Sequence, residues 1–98
     1  MFINIIKSYR YVVALADEEL IGKVFYEGNF QLDVKENFYK GEEKTPEEIS
    51  EILRDMKIED ATFNIVGKES VALALETGII DEENIGEIEG IPFALVLI

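Results

Sequence analysis

The sequence predicts one α/β domain at the border with α+β: a mixed β-sheet with N-terminal hairpins, two main helices and a C-terminal β-α-β crossover. Three observations carry that expectation. β-Branched and aromatic runs separated by short polar turns fill the first third of the chain, as hairpins do. Two later stretches place apolar residues at helical spacing. Strand and helix patterns then alternate to the end, which implies a crossover with parallel pairing beside the antiparallel hairpins. At 98 residues the chain reads as a single domain, 1–98. A hydrophobic share of 48% is too apolar for disorder despite a net charge of −12.

Phe2 to Ile6 and Tyr11 to Ala16 flank Lys7-Ser8-Tyr9-Arg10 as the two arms of a hairpin. Asp17 to Gly22 forms a single helical turn, with Asp17 placed to cap it and Gly22 placed to end it. Lys23 to Tyr26 and Phe30 to Val34 make a second hairpin around Glu27-Gly28-Asn29. Phe38 to Glu43 reads as a loop. Thr45-Pro46-Glu47-Glu48 is the clearest helix start in the chain: Thr45 caps, Pro46 suits the first position, and Glu48 completes a capping box. Ile49, Ile52, Leu53 and Met56 then define one apolar face. Thr62 to Val66 is a strand, Gly67 a tight turn, and Lys68 to Thr77 a helix closed by Gly78. That helix is apolar nearly all round, so the sheet and a further element or a second subunit should cover it. Asp81 to Asn84 is an acidic turn and Ile85 to Glu89 a short strand. The apolar stretch Ile91 to Ile98 reads as a buried strand, with a sheet edge as one possible position.

Composition narrows function. The chain has no histidine and no cysteine. It therefore lacks a side chain that titrates near neutrality without help, and it has no thiolate for nucleophilic attack or zinc binding. No cofactor and no transition metal are expected, since only hard oxygen ligands remain. With 21 acidic residues against nine Lys and Arg, contact with nucleic acid or an anionic membrane is disfavoured. A basic partner surface, a cation or a neutral ligand is tolerated better. No apolar run reaches membrane-spanning length. The start shows no basic segment with a cleavage site, so a cytoplasmic location is expected. Abundant Glu and Lys beside a single Gln lean towards a thermophile.

Four clusters are candidates for chemistry. Asp17-Glu18-Glu19 offers carboxylates for Mg²⁺ or Ca²⁺, but successive residues on a turn diverge, and capping explains them more simply. Tyr39 and Lys40, in Phe38-Tyr39-Lys40-Gly41, offer a stacking or hydrogen-bonding ring and a cation for an anion. Anchoring of that segment to the core is the heavier reading. Asn64, Gly67 and Lys68 frame a strand-to-helix junction whose exposed N–H groups suit an anion. Neither P-loop nor dinucleotide spacing is present, and glycine serves such turns for backbone reasons alone. The only serines, Ser8, Ser50 and Ser70, lie in no hydrolase motif.

The order of these stretches resembles an uncharacterised archaeal family, domain of unknown function 424. The resemblance is carried by Asp17-Glu18-Glu19-Leu20-Ile21-Gly22-Lys23, Phe38-Tyr39-Lys40-Gly41-Glu42, Asn64-Ile65-Val66-Gly67 and Gly90-Ile91-Pro92. It implies a cytoplasmic archaeal domain of about this length with no established activity. The family pattern carries Cys just before the D-E-E-L stretch and His just after the late proline. Here those positions hold Ala16 and Phe93, so the resemblance implies no Cys–His chemistry in this member.

The leading expectation is a non-enzymatic binding or accessory domain that meets a protein partner or assembles with itself, with translation or other information processing as a setting. The alternative is a small-molecule or anion-binding domain, or an enzyme, built from Tyr39, Lys40, Asn64, Gly67 and Lys68. Convergence of those residues on one pocket favours the alternative. Dispersal favours the binding domain.

Overall fold

Two antiparallel hairpins open the chain in the computed structural model, which describes residues 1–97. β1 (Phe2–Lys7) pairs with β2 (Tyr11–Ala16), and β3 (Val24–Glu27) pairs with β4 (Phe30–Asp33). A 3-10 turn, Glu18–Leu20, joins them. There follow α1 (Glu36–Tyr39), β5 (Glu42–Glu43), α2 (Pro46–Ile58), β6 (Thr62–Val66) and α3 (Lys68–Glu76). β7 (Ile85–Ile88) and β8 (Ile91–Val96) complete the described elements. The main sheet has the order β5-β1-β2-β6-β8-β7, and β3-β4 forms a second sheet. The domain is a mixed α+β fold, as the patterning predicts.

Successive strand residues point to opposite faces, so the main sheet has two differently covered sides. Ile3, Val13, Leu15, Phe63, Ile65 and Ala94 pack against Ile49 and Leu53 of α2 and Val71, Leu73 and Ala74 of α3. This is the larger core. Across the sheet, Ala14, Ala16 and Val66 meet Leu20, Val34 and Tyr39, with Phe25, Leu32, Phe38 and Phe93 partly buried beside them. The small residues there let α1 and the β3-β4 hairpin sit close to the strands.

The structure changes three sequence expectations about the C-terminal half and decides a fourth point that the sequence leaves open. The parallel pair is β2 with β6, not the two strands flanking α3: β6 and β7 run in the same direction but are kept apart by β8, which lies between them antiparallel to both. The parallel connection therefore runs through the β3-β4 hairpin, α1, β5 and α2. β8 lies between β6 and β7 and is not an edge. It is also not fully buried: Leu95 is 51% exposed and Leu97 71% exposed, while Ile98 lies outside the described residues. Finally, α2 supplies the further cover that α3 needs, and Lys68, Glu69, Ala72 and Glu76 form its exposed side. Among the described residues, no helix is long and apolar enough to cross a membrane.

Candidate functional site

The strand-to-helix junction at Gly67 already holds an anion, and it is the protein's own. Gly67 has φ 110°, outside the range that other residues adopt readily. A Cβ there would strike the Asp17 carboxyl group. That carboxylate, only 2% exposed, accepts from the Glu69 N–H at 3.1 Å, the Ser70 N–H at 2.8 Å and the Ser70 hydroxyl at 2.7 Å. Asp17 therefore caps α3 from the end of β2. It makes no side-chain cap to its own turn at Glu18–Leu20. The geometry follows from β2 and β6 running parallel, which brings both strand ends to one side of the sheet. Such a helix start is a ready anion seat, and Asp17 fills it. The sequence carried one signal of this: a helix that follows glycine has no cap of its own and must borrow one.

Tyr39 is buried, edge-on to Phe38 with centroids 5.0 Å apart. Burial, and secondarily the negative charge of Asp33, pushes its phenol up from 10.0 to about 12. The Asn4 side-chain amide donates to the Phe38 carbonyl at 2.8 Å and ties α1 to β1. Tyr39 thus anchors the segment to the core. Lys40 points elsewhere, into an open depression of about 640 Å³ with Gly22, Lys35, Glu36 and Asn37. Two of the sequence stretches singled out above meet there, through Gly22 and Lys40. Tyr39, Asn64, Gly67 and Lys68 do not line it. Asn64 is half-buried in the sheet and Lys68 is exposed on α3. The five candidate residues do not form one pocket.

What sequence reasoning missed is an open side of the main sheet. Register aligns Ile6, Val12 and Thr62 in one row and Asn4, Ala14, Asn64 and Leu95 in the next. Both rows face the side that α1 and the β3-β4 hairpin cover only in part. Ile6, Val12, Thr62 and Asn64 are half-buried, and Leu95 is exposed. The same side reaches the outer edge of β1, where β5 pairs with Phe2 and Ile3 alone.

The family described as "Protein of unknown function (DUF424)" matches residues 6–98. The chain belongs to that family. It is also similar to the crystal structure of an uncharacterized conserved protein from Methanopyrus kandleri. Identity is 25% and the TM-score 0.82, over 97% of this chain and 88% of that one. No curated protein matches it.

Within this DUF424 fold, Ala16 and Phe93 are both register partners of Val66, on one face of the sheet with β6 between their strands. Two strand spacings put them about 10 Å apart. The Phe93 ring fills the space where a Cβ on Gly86 would stand. Both positions are thus absorbed into apolar packing. Among the described residues, no group of three His, Cys, Asp or Glu side chains is placed to hold a metal. Asp17, buried and committed to α3, turns away from the exposed Glu18 and Glu19.

Proposed function

We propose that this DUF424 chain is a binding domain that docks a protein partner on the open side of its main sheet. The observation that carries the proposal is the unequal covering of one sheet face. Its first half is packed under α1 and the β3-β4 hairpin, while Ile6, Val12 and Leu95 continue it into solvent. Apolar side chains left partly open beside a packed core, here with Thr62 and Asn64 between Val12 and Leu95, suit an interaction surface. The net charge of −12 repels a second copy of the chain and favours a partner of positive charge. A photo-crosslinking residue at position 95, compared with one at Ala72 on the exposed side of α3, tests this in extract of the source cells. Adducts to one protein at position 95 only, with a complex reconstituted from purified components, are expected. Equal labelling from both positions, or none from position 95, refutes the assignment.

A second reading survives in altered form. With Asp17 in the Gly67 seat, a small-anion site rests on Lys35 and Lys40 at the open depression. Titration with inorganic phosphate, followed at the Lys40 amide, tests it. Loss of any response in Lys40→Ala supports the site, and a response that persists in that variant eliminates it.

A further inference from the structure

The outer edge of β1 carries a more specific message about the partner, and it rests on the docking reading above. The Lys44 N–H donates to the Met1 carbonyl, and the Ser8 N–H donates to the Arg10 carbonyl across the hairpin end. In an antiparallel pair, hydrogen-bonded and non-bonded residue pairs alternate. With Phe2 opposite Ala16 and Lys7 opposite Tyr11, these bonds fix the phase. Even-numbered residues of β1 bond to β2, and odd-numbered residues turn their backbone groups outward. β5 takes up the outward groups of Ile3 through its pairing with Glu42. Ile5 and Lys7 have no such partner among the described residues. Their N–H and C=O groups form a short, regular row along an open edge.

Four further facts shape that edge. The chain that pairs as β5 leaves it at Gly41, where a Cβ would collide with the Ile3 carbonyl and Asn4, so the departure is close and abrupt. A groove of about 190 Å³ lies beside the edge on the helix side, with Ile5 and Ile52 among its walls. Ile5 itself remains 40% exposed. Charged side chains, lysine especially, normally shield such an edge. Here the Lys7 ammonium lies over the Tyr11 ring of β2, 5.4 Å from its centroid, and so leans inward from the edge.

We infer that β1 is an acceptor for strand addition: an extended segment of a partner pairs with Ile5 and Lys7 in line with β5. An apolar side chain of that segment enters the groove beside Ile5. Strand addition supplies affinity through main-chain bonds and specificity through alternate side chains. The outward-facing residues of the segment are basic, because the acceptor carries a net charge of −12. A second copy of this chain has the same edge groups but brings the same negative charge.

Amide hydrogen exchange on the intact chain, read residue by residue, tests the inference with a short capped peptide alternating valine and lysine as the probe. The expected result is at least tenfold slower exchange at Ile5 and Lys7 with peptide, and little change at Asn4 and Ile6. A peptide alternating valine and glutamate should give no slowing. Ile5→Pro removes one outward donor and leaves the β1-β2 ladder intact, since proline is tolerated at a strand edge. It should abolish the peptide effect at Lys7. Peptide binding that alters Thr62 and Leu95 without slowing Ile5 or Lys7 overturns strand addition and leaves the docking face standing. No response to peptide at millimolar concentration also overturns it. Slowing that appears without peptide and grows with protein concentration identifies a second copy as the occupant and overturns the basic partner.

Discussion

Asp17 and Gly67 form a matched pair. The carboxylate needs the space that a side chain at position 67 would occupy, and α3 needs the carboxylate for its first free N–H groups. Removing it by Asp17→Ala leaves those donors and the Ser70 hydroxyl without their partner. A loss of about 2–4 kcal/mol in urea unfolding is expected. Gly67→Ala adds both a collision with Asp17 and the strain of its positive φ. In the Asp17→Ala background the carboxyl part of the collision is gone and only the Cβ at position 17 still crowds the added methyl, so the two substitutions together cost less than the sum of each alone. Strict additivity would contradict the contact. Tyr39 makes a different kind of prediction. Its pKa is raised in the folded state, to about 12 from 10.0. The associated stability is therefore complete below pH 10 and drains away between 10 and 12 as the unfolded chain loses its proton first. Tyr39→Phe should flatten that alkaline slope in unfolding measured against pH, and a slope unchanged by the substitution would refute the assignment. Asp17 was legible in the sequence as a cap, but its helix was not. Which helix it caps depends on β2 lying beside β6, and nothing local encodes that pairing.

Among the elements, α2 was the most legible because its start is written in contiguous residues. The Thr45 hydroxyl accepts from the Glu48 N–H at 3.2 Å, and the Glu48 carboxylate accepts from the Thr45 N–H at 3.0 Å. Those bonds from Thr45 hold the Glu48 carboxyl below its usual range. The box is complete above the ordinary carboxylate pKa and is lost as pH falls through the lowered folded value. Thr45→Ala should cost about 1 kcal/mol at neutral pH and less in acid, measured by thermal unfolding at both. An equal cost at the two pH values would separate the threonine from the box. α1 and β5 were hidden for opposite reasons. Four residues are too few to show a helical period. The two residues of β5 form a strand only because β1 is beside them. The antiparallel β6-β8 pairing was misread because a strand–helix–strand order usually signals a parallel crossover. Here β7 keeps the direction of β6 across α3, and β8 then folds back between them, antiparallel to both.

At the scale of the whole molecule, 21 acidic residues share a surface with nine basic ones, and only Lys44–Glu42 forms an ion pair among the described residues. Self-repulsion of that size opposes the compact state. Monovalent salt should therefore raise the thermal midpoint steeply at first and level off once the screening length falls to about 8–10 Å. A midpoint indifferent to salt would mean that local contacts neutralise the charge. Composition made the field legible, but not the open face it surrounds, because exposure of Leu95 depends on where α1 and the β3-β4 hairpin stop. The β3-β4 hairpin also stands against β7 at the opposite edge of the sheet. There the Glu89 carboxylate accepts from the Tyr26 N–H at 2.7 Å, and the Glu27 carboxylate accepts from the Glu89 N–H at 3.0 Å. The β7-β8 turn is thus tied to the hairpin, while the outer edge of β1 beyond β5 has no such tie among the described residues. Head-to-tail growth into a filament requires a complementary surface at each end of every subunit. The guest strand proposed for β1 comes from a different protein and brings no second β1 edge with it, so a host–guest pair offers no repeat of the same contact and the assembly is finite: one host, one guest.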